Sequence, residues 1–215
     1  MANDLLLHER HFRSNSVLER FNQVPITICG AGAIGANLTE TLARQGFHTL
    51  QVIDSDRIES HNLSTQPWSL NQIGVKKVDA LRLIVFSIIN VDIKATHLTF
   101  DDRNLCKKKL QGNQLIIDAF DNRTSRECLQ SAAQSLNIPL LHIGLEGFGY
   151  GEVIWDEDYV MPENTGVDGC DYPMARNLIM LTVATAAEII AKFVTDGTKI
   201  NRSLTLGDLK IHSDV

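Results

Sequence analysis

The chain has 215 residues, 44% of them hydrophobic, and a formal net charge of −6 at pH 7. That length and apolar content suit one α/β domain with a sizeable core, and the negative balance leaves no domain-wide basic face for a nucleic-acid partner. Four cysteines, Cys29, Cys106, Cys128 and Cys170, are scattered without a CxxC pair, which argues against a thiolate zinc site or a disulfide framework and fits a reducing cytoplasm. The opening MANDLLLHERHF has no basic stretch followed by a long apolar run, so no secretory signal is expected.

Residues 3–22 read as helical, with Leu5, Leu6, Phe12, Val17, Leu18 and Phe21 as apolar positions around Arg10-His-Phe-Arg13. The informative stretch follows, from Pro25 to Asp56. A short apolar strand (Ile26 to Cys29) runs into Gly30-Ala-Gly32-Ala-Ile-Gly35, then an amphipathic helix, then a second strand (Thr49 to Ile53) ending on Asp54. A nucleotide-binding βαβ unit requires this order. The first glycine makes the tight turn, the second admits phosphate to the backbone, and the third lets helix pack on strand. The acid about twenty positions on accepts a ribose hydroxyl. The helix N-terminus offers N–H donors to an anion.

The connection from Asp54 through Asp56, Asn62, Gln66 and Trp68 is polar, long and aperiodic, which marks a ligand-contacting loop. Gly74 opens a helix running to Ile89, and Lys76 and Lys77 in its first turn oppose the helix dipole unless an anion sits beside them. Val91 to Leu98 alternates as a strand, and Asp101 to Leu110 is a short helix. Leu115 to Asp118 is a buried parallel strand ending in Asp118-Ala-Phe-Asp121-Asn122. Carboxylates at the carboxyl end of a strand lie where open α/β sheets bind ligands. One of Asp121 and Asn122 is expected to cap the helix from Thr124 to Leu136, leaving acid over for a magnesium ion that keeps waters and takes one or two carboxylates. Pro139 to Ile143 is a further strand, Gly144 to Gly151 is glycine-rich, and Tyr150 to Trp155 is an antiparallel strand. Residues 156–173 form an acidic crossover loop. Met174 to Val194 is a long apolar helix, interrupted by Glu188 and Lys192, that suits a core or dimer interface better than a bilayer. Arg202 to Ile211 supplies a last strand or two.

Taken together, the glycine loop, Asp54-Ser-Asp56, Asn62-Leu-Ser-Thr-Gln66, Gly74-Val-Lys-Lys77-Val and Asp118-Ala-Phe-Asp121-Asn122 make the chain resemble the ThiF/MoeB/HesA family of adenylyltransferases, over nearly its whole length. The resemblance implies a Rossmann-like, mostly parallel sheet with helices on both faces and an antiparallel C-terminal extension. It implies one domain over residues 1–215: a helical arm (1–24), a nucleotide-binding half (25–147), and an extension with crossover loop and long helix (148–215). It further implies ATP, magnesium and a cytoplasmic homodimer that adenylylates the C-terminal carboxylate of a small ubiquitin-like or sulfur-carrier protein or a peptide, with no nucleic acid or membrane involved. By the same resemblance Gly30, Gly32, Gly35, Asp54, Asp56, Asn62, Gln66, Lys77, Asp118 and Asn122 bind the nucleotide. Asp121 holds magnesium, and Arg13 reaches the ATP of the partner subunit.

Three departures from the family pattern stand out. Thr65 occupies the arginine position of Asn-Leu-x-Arg-Gln and offers no cationic fork, so charge neutralisation falls to another group such as Arg57. The paired CxxC motifs are absent, so no structural zinc is expected. By the resemblance the thioester cysteine, where present, lies in the crossover region, and Cys170 is the only candidate catalytic cysteine there; Asp168 and Asp171 beside it would raise its pKa, so adenylation without a thioester is the expectation. Two other readings compete. One is a catalytically reduced ATP-binding scaffold, favoured by Thr65 and disfavoured by Asp121, Lys77 and Arg13. The other is an NAD-dependent oxidoreductase, which Asp54 alone would allow and for which His142 gives no hydride-transfer constellation.

Overall fold

The computed structural model describes residues 4–161 and 173–213. Cys170 and the central part of the crossover loop lie outside the described residues.

The expected N-terminal helix is two helices, α1 (Leu7–Arg13) and α2 (Asn15–Gln23), because Ser14 takes φ 85°, outside the helical region. Helix α1 buries nothing. Helix α2 turns Leu18 and Phe21, three residues apart on one face, into the core, where Phe21 stacks on Phe47 at 4.1 Å.

The chain then alternates strand and helix: β1 (Ile26–Cys29), α3 (Ala33–Arg44), β2 (Leu50–Asp54), α4 (Lys77–Ile89), β3 (Lys94–His97), α5 (Arg103–Leu110), β4 (Leu115–Asp118), α6 (Arg123–Leu136) and β5 (Leu140–Glu146). Two 3₁₀ turns, Ser60–Ser64 and Leu70–Gln72, fill the long connection after β2. β6 (Tyr150–Trp155), α7 (Arg176–Asp196), β7 (Arg202–Thr205) and β8 (Ile211–His212) complete the order. Among the described residues the strands form one sheet in the order β3-β2-β1-β4-β5-β6-β7-β8, parallel from β3 to β5 and antiparallel beyond.

β1, β2 and β4 are buried along their whole length, as parallel strands covered on both faces must be. Successive side chains feed opposite layers. Ile26, Ile28, Leu115 and Ile117 join the core under α3, α4 and α7, whereas Cys29 and Ile116 join the core under α5 and α6. β1 lies between β2 and β4, so the crevice at the carboxyl ends of β1 and β4, where Cys29 pairs with Asp118, is the topological switch point.

Several boundaries differ from the sequence expectation, and three of them have a clear cause in pairing or turn geometry. The strand expected over Val91 to Leu98 is only Lys94–His97, because β2 offers pairing partners from Gln51 to Asp54 alone. The strand expected to stop at Ile143 continues to Glu146, since Gly144, Leu145 and Glu146 pair with β6 in a hairpin closed at Gly149, φ 86°. The long helix starts two residues later and ends at Asp196, where Gly197 takes the left-handed C-terminal position at φ 79°. At 21 residues α7 is long and apolar enough to cross a membrane by composition, yet half of its apolar stretch is buried in this domain, Ile179, Val183 and Ile190 among it.

Candidate functional site

The glycines divide the work of building the crevice. Gly30 has φ +104°, and a Cβ there would stand 2.6 Å from the Ala119 carbonyl oxygen, so only glycine lets the β1 turn lie against the β4 turn. A Cβ on Gly35 would stand 1.8 Å from the Gly30 carbonyl oxygen, so the third glycine sets how close α3 approaches the strand. Gly32 meets nothing within 4 Å and faces the cleft. It also holds the N-cap position of α3, whose N-terminus has no side-chain cap. Its first-turn N–H donors are the ones that suit an anion.

On the β2 side, Asp54 is buried and held by the backbone. One carboxylate oxygen accepts the Ala31 N–H at 2.6 Å and the other the Asp56 N–H at 2.6 Å. Burial raises its pKa, and these two N–H donors and Lys77 oppose the rise only in part. Asp54 therefore fixes the glycine loop to the β2 turn while its edge still lines the cleft. Lys77 begins α4 with its side chain only 8% exposed, and its Nζ donates to Asp56 at 2.8 Å. The anion that the misplaced first-turn lysine calls for is, in this structure, the Asp56 carboxylate.

On the β4 side, Asn122 caps α6, its Oδ1 accepting the Ser125 N–H at 2.9 Å. Asp121 is thereby left exposed at the cleft, where the Asn122 amide lies 3.5 Å from its carboxylate. Asp118 points inward instead. It is fully buried, accepts the Phe120 N–H at 3.0 Å, and pairs with His142 Nδ1 at 2.8 Å.

One open cleft is lined by Gly30, Gly32, Asp54, Asp56, Lys77, Asp121 and Asn122. The structure does not bring the other expected residues to this cleft. Asn62 is a buried cap of the 3₁₀ turn, its Oδ1 accepting the Glu59 N–H and its carbonyl the N–H groups of Thr65 and Gln66. Gln66 accepts the Trp68 indole N–H at 2.6 Å. Thr65 is buried, its carbonyl held by Asn37. Arg57 donates to the Gly74 carbonyl at 2.7 Å and does not line the cleft. Arg13 is paired within its own chain, to Glu188 at 2.5 Å and Glu9 at 2.8 Å. The described cysteines are buried. Burial pushes the Cys29 thiol well up and Cys106 to about 12, so neither is a thiolate nucleophile.

Sequence reasoning passed over part of the lining: Ser55, Thr99, Phe100, Asp101 and Thr124. Thr99 to Asp101 follow β3, the next parallel strand, so the rule that ligands sit beyond strand carboxyl ends would have flagged them. Four carboxylates (Asp54, Asp56, Asp101 and Asp121) face one lysine among these lining residues. An anionic ligand would therefore enter more readily with a divalent cation. Among the described residues no cluster of three protein ligands could hold a metal alone.

A family model described as the ThiF family matches residues 7–195. The chain is 30% identical over 141 residues to the SUMO-activating enzyme subunit uba-2 of Caenorhabditis elegans, covering 63% of this chain and 23% of that protein. It is 28% identical over 119 residues to the SAMP-activating enzyme E1 of Haloferax volcanii, covering 54% of this chain and 44% of that protein. The chain thus spans less than half the length of these curated relatives. Among solved structures, E. coli MccB with ATP superposes with a TM-score of 0.81 at 17% identity over 99% of this chain and 72% of MccB. PaaA superposes at 0.76 and 21% identity over 95% and 68%. At those identities the likeness establishes the fold.

Proposed function

The chain belongs to the ThiF family, and from that premise we propose that it uses ATP to adenylylate the C-terminal carboxylate of a small ubiquitin-like or sulfur-carrier protein or a peptide. One observation carries the reading: a single cleft joins the uncapped N-terminus of α3 behind Gly32, Lys77 on the β2 side and the exposed carboxylate of Asp121 on the β4 side. The names of relatives that activate SUMO or SAMP, and the MccB structures with ATP and with MccA, support the choice of reaction and substrate class.

In this reaction a substrate carboxylate oxygen attacks the α-phosphorus of ATP, the bond to the bridging oxygen breaks, and pyrophosphate leaves. No protein nucleophile is needed. The chain's contribution is positioning and charge. The α3 N–H groups address phosphate oxygens. Lys77, already desolvated, exchanges Asp56 for phosphate. Asp54 keeps the glycine loop in register and presents an edge to the ribose. The carboxylate-rich lining fits magnesium, which Asp121 would hold and which would supply neutralising charge when bound. Arg13 acts across a homodimer interface, leaving Glu188 to reach the partner's nucleotide. With Cys29 and Cys106 held protonated, and with Asp168 and Asp171 flanking Cys170 in the sequence against a low thiol pKa, the proposed product is the adenylate rather than a thioester.

A second reading, an ATP-binding scaffold with reduced catalysis, draws on the burial of Thr65 where the family carries an arginine. The test is calorimetric titration with magnesium-ATP and separately with NAD, on the natural chain and on Asp121→Ala, followed by pyrophosphate exchange with carrier proteins or peptides. Magnesium-dependent ATP binding weakened about tenfold or more by Asp121→Ala, as the loss of a charged contact would give, supports the reading. Binding of NAD without ATP overturns it, and ATP binding without exchange for any carboxyl terminus favours the scaffold.

A further inference from the structure

The most elaborate polar arrangement in the described chain lies beneath the cleft. Arg126, on α6, spends two of its nitrogens on one backbone oxygen: Nε at 2.8 Å and Nη2 at 2.5 Å from the carbonyl of Phe120. Its Nη1 donates to the phenol oxygen of Tyr159. The Tyr159 ring stacks on His142, centroids 3.7 Å apart and 8° from parallel. His142 bridges two carboxylates, Asp118 at 2.8 Å and Asp156 at 3.0 Å. Asp118 closes the ring: its Oδ1 accepts the Phe120 N–H, and Arg126 Nε lies 3.7 Å from Oδ2, the oxygen that meets His142. Gln130 and Gln134 fix Asp156 from α6.

The Phe120 residue is therefore held at its N–H and at its carbonyl, and its ring packs against Phe100, itself part of the cleft lining. The next residue is Asp121. A guanidinium that served only to neutralise buried Asp118 would form its fork on that carboxylate. Here the fork falls on the carbonyl of the loop that carries Asp121.

We propose that Arg126 is a positioning residue for the cleft: by clamping the Phe120 carbonyl it sets where the Asp121 carboxylate stands, and Tyr159 with the Asp118–His142–Asp156 chain holds Arg126 in turn. The proposal deepens the reading of Asp121 given above and rests on it for its consequence in nucleotide binding. The clamp itself does not depend on that reading. Lysine at this position keeps the charge but cannot span the carbonyl and Tyr159 together.

The test combines hydrogen exchange and calorimetry on Arg126→Lys, Asp121→Asn and the double variant of the full chain. Arg126→Lys is expected to speed exchange at the Phe120 amide and leave the β1 and β4 amides unchanged. It is also expected to weaken magnesium-ATP binding about tenfold, the worth of one charge-assisted hydrogen bond, but to weaken it no further once Asp121 is asparagine. Unchanged exchange at Phe120 overturns the clamp. An equal loss of affinity in both Asp121 backgrounds overturns the action through Asp121. If the natural chain binds no nucleotide, the functional reading falls by itself and the exchange result still decides the clamp. Should Arg126→Lys fail to fold, Tyr159→Phe removes only the phenol contact and must show the same localised exchange.

Discussion

Adding one methyl group at Gly35 separates the folding role of the glycine loop from its binding role. In the first turn of a helix, alanine for glycine ordinarily stabilises by about 1 kcal/mol. Here the new Cβ would stand 1.8 Å from the Gly30 carbonyl oxygen and 3.3 Å from the Ile28 side chain. The nearer atom is backbone, so no rotamer change relieves the contact and α3 must move away from β1. Overpacking of a rigid interior costs up to about 3 kcal/mol. Set against the helix gain, this leaves a destabilisation of about 2 kcal/mol, or a fall in Tm of about 4–8 °C for a chain of this size. Gly32→Ala is the control, since its Cβ would meet nothing within 4 Å. It should leave Tm within about 2 °C, as a contact-free surface change does, while narrowing the cleft and weakening magnesium-ATP binding. Thermal unfolding followed by circular dichroism, with calorimetry on the same samples, reads both. A Gly35→Ala protein as stable as the natural chain would refute the close-approach argument. A Gly32→Ala protein that binds nucleotide unimpaired would refute the placement of phosphate at that glycine.

Two further outcomes follow from the same geometry. Asn122→Ala removes the cap of α6 and should cost about 1 kcal/mol by urea unfolding, whereas Asn122→Asp keeps the acceptor and most of the stability; equal losses in the two variants would contradict the cap. Burial disfavours the His142 imidazolium, but hydrogen bonds to Asp118 and Asp156 outweigh that and raise its pKa, with Arg126, Tyr159 and Glu152 as the other titratable neighbours. A raised folded-state pKa gives stability that is complete below the unfolded value of about 6.5 and is lost as pH rises through the folded value. The natural chain should therefore lose Tm relative to His142→Asn as pH rises above the unfolded value of about 6.5 and through the raised folded value; parallel Tm profiles across that rise would contradict a raised His142 pKa.

Local order was legible in the residues alone. The run Ile26 to Cys29, the three glycines, the amphipathic span to Arg44 and the strand ending on Asp54 fold as their periods and turn residues dictate, because strand, tight turn and helix are each set by neighbours a few positions away. The same holds for Asp121 and Asn122: one cap was needed, Asn122 supplies it, and Asp121 is left at the cleft. Ser14 was not legible, since a serine at φ 85° gives no local signal and its place follows from α2 docking Phe21 on Phe47.

Which way each polar side chain points was decided only by the tertiary structure. Asp118 and Asp121 stand three residues apart at one strand end, yet one turns inward because His142 arrives beside it on the neighbouring strand, and the other faces the cleft. Lys77 finds Asp56 across 21 positions, Arg126 finds Tyr159 across 33, and Arg13 finds Glu188 across 175. The sequence by itself determined the scaffold and the crevice, because backbone conformation is largely a local preference. Partner choice among buried polar groups is settled by which strands and helices meet, and no spacing along the chain carries that information.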